Sequence, residues 1–209
     1  MKAPEFWGRD SLITKLLHPI SLVFQAGAAI RRRAATPIEV GVPVICVGNL
    51  VAGGAGKTPV ALSVAGHLKR FGVTLAFLTR GHGGRLMGPV KVEPDIHVAR
   101  DVGDEALLLA ETAATWISRD RAKGAMAARA DGAELVIMDD GFQNPGLEKS
   151  LSLVVIDGAV GFGNGRVIPA GPLRETMDKG LARANAMVMI GEDRTGLTSS
   201  LPPALPLLR

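Results

Sequence analysis

Gly48-Asn49-Leu50-Val51-Ala52-Gly53-Gly54-Ala55-Gly56-Lys57-Thr58-Pro59 is the stretch on which the fold turns. It follows the apolar, β-branched run Val42 to Val47 and opens directly onto a helical pattern, Thr58 to Arg70, that ends at Gly72. A glycine-rich turn between a strand and a helix lets backbone N–H groups converge on a phosphate, and the positive end of the helix dipole adds to the attraction. Lys57 at that place reaches the outer phosphates of a nucleotide, and the Thr58 hydroxyl ligates Mg²⁺. The usual G-x-x-x-x-G-K-[ST] spacing asks for glycine at position 51, where this chain has Val51. A bare turn that holds no ligand is the competing reading. It is disfavoured because Gly-Lys-Thr falls at the strand-to-helix junction where phosphate binding needs it.

Working outward, short β-branched runs alternate with longer helical patterns. The runs Val73 to Thr79, Glu134 to Met138, Leu151 to Ile156 and Ala186 to Ile190 read as further strands, and Asp104 to Trp116 and Arg119 to Ala130 as further helices. Near-continuous apolar strands alternating with helices mean a buried, mostly parallel sheet. The expected fold is therefore α/β and P-loop NTPase-like, a doubly wound, mostly parallel sheet with helices on both faces and an N-terminal amphipathic helix. The domain reading is an N-terminal helix over residues 1–36, a nucleotide-binding domain over 37–195, and a Pro/Leu-rich tail over 196–209. Cys46 lies alone in an apolar run and reads as a core thiol of a reducing compartment. Met138, Met187, Met189 and Trp116 read as core, and His67 and His97 as structural residues of a helix and a strand.

Charge narrows the function classes. The chain carries a net charge of +4, and all of it is concentrated in residues 1–36, where Lys2, Arg9, Lys15, Arg31, Arg32 and Arg33 face only Glu5 and Asp10. A neutral main domain excludes a nucleic-acid-binding face and puts any attraction for anionic surfaces at the N-terminus. From Phe6 to Ile30, apolar residues recur at threes and fours, which gives one apolar helical face with a kink expected at Pro19. No stretch approaches the roughly 20 apolar residues of a membrane span, and Arg9, Asp10, Lys15 and His18 interrupt any signal-peptide core. The helix either lies on a bilayer surface with its arginines against lipid phosphates, or packs on the domain with its arginines solvated.

Two acidic sites accompany the glycine-rich loop. Leu135-Val136-Ile137-Met138-Asp139-Asp140-Gly141-Phe142-Gln143 puts two carboxylates at the end of a strand, where such folds hold Mg²⁺ directly or through water; turn formation is the alternative. Asp101-Val102-Gly103-Asp104-Glu105 opens a helix. Asp104 is either an N-cap or a carboxylate that faces the nucleotide crevice and takes the proton of an attacking hydroxyl. Two more loops follow strands and carry glycine and arginine, Thr79 to Arg85 and Gly161 to Glu175, placing them at the ligand-binding edge of a parallel sheet.

Together these segments resemble the tetraacyldisaccharide 4′-kinase family, which phosphorylates a membrane-embedded disaccharide in lipid A synthesis. The resemblance rests on Phe6-Trp7, Gly48 to Pro59 with its Gly-Gly-Ala-Gly-Lys-Thr-Pro, Arg80 to Gly84, Gly103 to Glu105, Asp139 to Gln143 and Gly163 to Glu175. It accounts for Val51, since this family's loop is a Gly-Gly-x-Gly-Lys-Thr variant. It implies ATP and Mg²⁺ as cofactors and an acylated disaccharide lipid as substrate. Gly53, Gly54, Ala55, Gly56, Lys57, Thr58, Pro59 and Gln143 would bind nucleotide, and Thr58 and Asp139 the metal. Lys57, Asp104 and Asp140 would be catalytic, with Asp104 the base toward the sugar 4′-hydroxyl. Arg80, Arg121, Arg174 and Glu175 match family positions near substrate or nucleotide. The N-terminal helix becomes a peripheral element on an anionic membrane surface, at the cytoplasmic face of the bacterial inner membrane.

Three features depart from the family. The chain stops soon after Ile190, in Leu201-Pro202-Pro203-Ala204-Leu205-Pro206-Leu207-Leu208-Arg209, where family members run on into a second lobe with a histidine motif; a truncated chain that binds nucleotide but turns over poorly is the expectation. His82 replaces a common tyrosine, and Asn144 a common histidine. The rival readings are a P-loop switch ATPase or GTPase and a nucleotide-binding remnant without catalysis. Ala52 stands where a partition-type ATPase has a lysine, and no Asn-Lys-x-Asp or Thr-Lys-x-Asp segment reads guanine.

Overall fold

A computed structural model describes residues 4–209. After a single 3₁₀ turn at Glu5–Gly8, the elements in chain order are α1 (Leu12–Ala34), β1 (Val44–Gly48), α2 (Lys57–Lys69), β2 (Leu75–Thr79), β3 (Val90–Lys91), α3 (Ala99–Val102), α4 (Asp104–Ala110), β4 (Ala114–Ile117), α5 (Arg121–Ala130), β5 (Leu135–Asp139), β6 (Leu151–Asp157), α6 (Met177–Leu181), β7 (Ala186–Ile190) and, after a 3₁₀ turn at Leu197–Ser200, β8 (Leu207–Leu208). The expected mostly parallel α/β sheet is present. The chain divides into two compact units: Thr36–Gly48 with Lys57–Ser152, and Met1–Ala35 with Asn49–Gly56 and Leu153–Arg209.

In the first unit the strand order is β3-β4-β2-β5-β1. All neighbours run parallel except the edge pair β3/β4. β2 and β5 are buried at every residue, as strands covered on both faces must be, which explains why Leu-Ala-Phe-Leu-Thr and Leu-Val-Ile-Met-Asp show no polar alternation. Small residues let helices approach the sheet closely: Ala61 and Ala65 of α2 and Ala125 and Ala128 of α5 are fully buried. Cys46 is buried in β1, and burial pushes its thiol up to about 12. The core assignment of Met138 holds, and Trp116 is half-buried.

Two expectations fail in this unit. The helix expected from Asp104 to Trp116 stops at Ala110, and Ala114–Ile117 is instead β4, paired with β2 from Ala76↔Ala114 to Thr79↔Ile117. The branched Thr115 and Ile117 and the indole of Trp116 favour a pleated surface, and pairing with β2 outweighs the apolar spacing that suggested a longer helix. His97 lies in a turn rather than a strand, its Nδ1 accepting the Glu93 N–H at 3.0 Å.

In the second unit β6-β7-β8 are parallel. The Pro/Leu-rich segment contributes β8, in register with Met187 and Val188, and Met187 and Met189 are buried. α1 starts with a capping box, Ser11 N–H to Thr14 Oγ1 at 3.0 Å and Thr14 N–H to Ser11 Oγ at 3.3 Å, and runs through Pro19. Its burial is inverted. Thr14 and Ser21 are the buried residues, while Leu12, Ile13, Leu16, Ile20, Leu22, Val23, Phe24 and Ile30 are exposed. At 23 residues, with an 18-residue window of mean hydropathy 1.3, it is long and apolar enough to cross a membrane by length and composition, which corrects the expectation that no such stretch exists.

Gly103, between α3 and α4, sits at φ 89° and ψ 149°, backbone that only glycine adopts readily, and a Cβ there would lie 2.4 Å from His82 O. Gly103→Ala should therefore destabilise the chain by about 2 kcal/mol or more. Gly66→Ala, within α2 where a Cβ meets nothing within 4 Å, should be neutral or stabilising by up to about 1 kcal/mol. Urea unfolding of both variants checks the contrast; equal effects would contradict it.

Candidate functional site

Parallel pairing of β1 with β5 sets the geometry of the first unit's site. The register runs Val44↔Val136 to Val47↔Asp139, and Asp140 N–H continues the ladder to Val47 O at 3.0 Å. Asp139 therefore lies beside the last residues of β1, after which the glycine-rich turn begins. α2, which that turn enters, starts at Lys57; Pro59 in its first turn costs no hydrogen bond, since the first N–H groups of a helix have no intrahelical acceptor. Thr58 Oγ1 donates to Asp139 Oδ2 at 3.0 Å. Lys57 Nζ stands 3.8 Å from Asp140 Oδ1. Asp140 is held at φ 50°, in left-handed backbone, which an Asp tolerates better than most residues.

Asp139 is 1% exposed, and its Oδ1 is buried without a hydrogen-bond partner. Burial pushes its carboxyl up to about 6, with Glu105 and Asp140 pushing the same way and the Thr58 hydrogen bond and Lys57 opposing. Cations and anions are interleaved around it. Arg121 is buried at the start of α5, where Asp120 caps the helix by accepting Lys123 N–H at 3.2 Å. It donates Nη1–H to Ser118 O, while its Nε–H is buried with no acceptor. Burial lowers its guanidinium to about 10, Arg80 adds to the lowering, and Asp140 and Asp139 oppose it. Arg80 is exposed at the end of β2. Asp104 is exposed as the first residue of α4, whose N-cap position is Gly103, and its Oδ1 accepts the adjacent Glu105 N–H at 2.9 Å. Gln143 is half-buried in the turn after β5. Two residues not singled out from sequence belong here. Glu105 faces Asp139 closely enough to raise its pKa; its signal was an acidic second residue in a helix opened by glycine. Lys149 donates to Asn144 O at 2.5 Å and so braces the turn that follows Asp139-Asp140.

The second unit carries the glycine-rich turn itself. Asn49 is fully buried and its Nδ2 donates to Gly53 O at 3.3 Å, closing the turn internally. Gly53 and Gly54 are exposed, Ala55 is buried, and Gly56 lies at φ 73° with Ile190 Cδ1 where a Cβ would go. Leu173 pairs with Val51, and the next two residues are the half-buried Arg174 and the buried Glu175. Burial alone would raise the Glu175 pKa, but hydrogen bonds from Arg183 and Arg32 hold it below the usual range.

The sequence model for the tetraacyldisaccharide-1-P 4′-kinase family, LpxK, matches residues 13–202. The chain belongs to this family. It is 56% identical over 207 residues to a tetraacyldisaccharide 4′-kinase of Rhodospirillum rubrum, covering 98% of this chain and 62% of the relative. With the protein of the same name from Rhodospirillum centenum it is 55% identical over 214 residues, covering 100% and 64%. The chain thus spans a little over three-fifths of the length of these relatives. Among solved structures, LpxK from Aquifex aeolicus in complex with ATP superposes with a TM-score of 0.78 at 28% identity, covering 94% of this chain and 64% of that one.

Asp139 supplies a pH test that needs no ligand. Its pKa in the fold, about 6, lies above the ordinary 3.8, so the folded state holds the extra proton and stability falls as pH rises from about 4 through 6. Asp139→Asn removes that loss while keeping an acceptor for Thr58. In metal-free buffer the variant should gain more over the wild type at pH 8 than at pH 5, by on the order of 1 kcal/mol, in denaturant titrations at the two pH values. An equal difference at both would contradict the buried, protonatable carboxyl.

Proposed function

We propose that this chain provides the nucleotide-binding and catalytic part of an ATP- and Mg²⁺-dependent kinase that transfers the γ-phosphate to the 4′-hydroxyl of a tetraacyldisaccharide 1-phosphate. The observation that carries the reading is Asp139 Oδ1, a buried carboxylate oxygen without a partner beside the Thr58 hydroxyl. Such an orphan is costly unless a cation or donor completes it. Among the described residues no group of three or more His, Cys, Asp or Glu could hold a metal. Two protein oxygens suit Mg²⁺, which keeps waters and takes the rest of its shell from nucleotide phosphates. Thr58 and Asp139 would hold the ion, which would draw charge from the phosphate oxygens and keep Asp139 ionised.

The chain's own groups divide the remaining work. The amides of Gly53 to Gly56 and the Lys57 ammonium would cradle the phosphates, with Gln143 on the nucleotide, and Asp140 would hold Lys57 in place. Arg121, with its unpaired Nε–H, and Arg80 would stabilise negative charge on the transferring group or the acceptor. Asp104, exposed at a helix start, would accept the 4′-hydroxyl proton as the oxygen attacks phosphorus and ADP departs. Arg174 and Glu175 would contact substrate or order the loop near it. Positioning and charge do most of the catalysis in such in-line transfers.

The inverted burial of α1 supports a lipid-surface role. Its exposed Leu12, Leu16, Ile20, Val23 and Phe24 would enter the boundary of the cytoplasmic leaflet, and the exposed Arg31 and Arg33 at its end would meet anionic headgroups, while Arg32 is turned to Glu175. This peripheral placement at the inner membrane brings the enzyme to a substrate whose acyl chains stay in the bilayer.

Lys57→Ala should weaken ATP binding in calorimetry with little change in melting temperature. Asp104→Asn should leave ATP binding and stability intact, while transfer from radiolabelled ATP to a tetraacylated disaccharide 1-phosphate falls by roughly two to four orders of magnitude. Near-normal transfer by Asp104→Asn would remove it as the base, and ATP hydrolysis by the wild type without labelled lipid would favour a switch ATPase.

A further inference from the structure

The loop that carries Arg174 and Glu175 is tied to α1 over the whole helix, and all of these ties lie within the second unit. Before the helix, Trp7 Nε1 donates to Pro169 O at 3.0 Å and Asp10 pairs with Arg166 at 2.8 Å. At mid-helix, Ser21, 1% exposed, donates to Val167 O at 2.7 Å and accepts Ala170 N–H at 3.2 Å. Near its end, Arg32 meets Glu175 at 2.8 Å, and Arg183 holds the same carboxylate. Further along, the loop is bonded to the glycine-rich turn. Ala52 N–H donates to Pro172 O and Arg174 N–H to Leu50 O, each at 2.7 Å, with Val51 bridged to Leu173 between them. Leu173 and Leu50 are both buried, and a Cβ on Gly180 would collide with Leu50, so this short ladder has little freedom to shift.

The backbone at 50–53 is thus bonded to residues 172–174, which lie between loop residues bonded to α1 and the segment before it. We propose that α1 positions the phosphate loop through residues 166–175, with Ser21 and Arg32 as the positioning residues, so that docking of the helix on an anionic phospholipid surface tightens nucleotide binding. The proposal rests on reading the glycine-rich turn as the nucleotide loop. The physical basis is an ordering cost. A helix with eight large apolar residues facing water frays easily, and confining it on lipid fixes the loop bonded to it before nucleotide arrives. Linkage makes the effect reciprocal, so nucleotide tightens lipid binding by the same factor.

The test uses the 209-residue chain with MgATP and vesicles of phosphatidylethanolamine containing phosphatidylglycerol. In the wild type, vesicles should tighten ATP binding in calorimetry by roughly 5-fold or more, and ATP should tighten vesicle co-sedimentation equally. Ser21→Ala lies on the face turned from lipid, so it should keep vesicle binding but lose most of the enhancement; Arg32→Gln should do the same in part, with Arg32→Lys restoring it. Hydrogen exchange in Ser21→Ala should quicken at residues 50–53, while β5 stays protected. An undiminished enhancement in Ser21→Ala, or unchanged exchange at 50–53, would overturn the coupling. ATP binding by the wild type without any vesicle effect would overturn the coupling alone, whereas no ATP binding under any condition would overturn the nucleotide-loop reading with it.

Discussion

Asp139 at the carboxyl end of β5, locked opposite Val47 by parallel pairing and bonded to Thr58, is the constraint on which the site depends. Register in a parallel pair leaves no slack: a slip of one residue would turn the carboxylate into the opposite face of the sheet. Four paired residues fix β5 against β1, and the Thr58 hydroxyl ties the strand end to the first turn of α2. Burial of a carboxyl with one unpartnered oxygen is by itself unfavourable for folding. That cost is typical of places where a fold holds a charge in readiness for a ligand.

Much of this was legible in the sequence because its signals are local. The turn Gly48 to Thr58, the acid pair 139–140 and the apolar strands each declare themselves within a dozen residues, and the family resemblance joins them. The signal failed where long-range pairing decides: Ala114 to Ile117 has apolar spacing that extends a helix on paper, and only β2 beside it makes a strand. The same holds for Glu105, whose influence on Asp139 arises from the chain's return past β5. Sequence left open how α1 is used. Its spacing showed an amphipathic helix but not which face the protein would keep, and the polar face is kept because Ser21 and Arg32 find partners in a loop more than a hundred residues away.

One unit fixes Asp139, Lys57, the buried Arg121 and the exposed Asp104 at strand ends and helix starts; the other holds the glycine-rich turn, closed internally by Asn49 and braced by the 172–174 ladder. Glycine and small residues recur where backbone must approach backbone, and charged residues recur where an anion would lie. Val51, odd for a phosphate loop, is explained by the ladder, since it is the residue bridged to Leu173.

The central claim, that Thr58 and Asp139 form half of a metal site completed by nucleotide phosphates, is tested most directly by electron paramagnetic resonance with Mn²⁺ standing in for Mg²⁺. The account predicts that one Mn²⁺ per chain is immobilised when ATP is present and that little is bound at the same metal concentration without it, because two protein oxygens alone make a weak site. Equal Mn²⁺ binding with and without ATP, or no immobilised Mn²⁺ in the presence of saturating ATP, would contradict it.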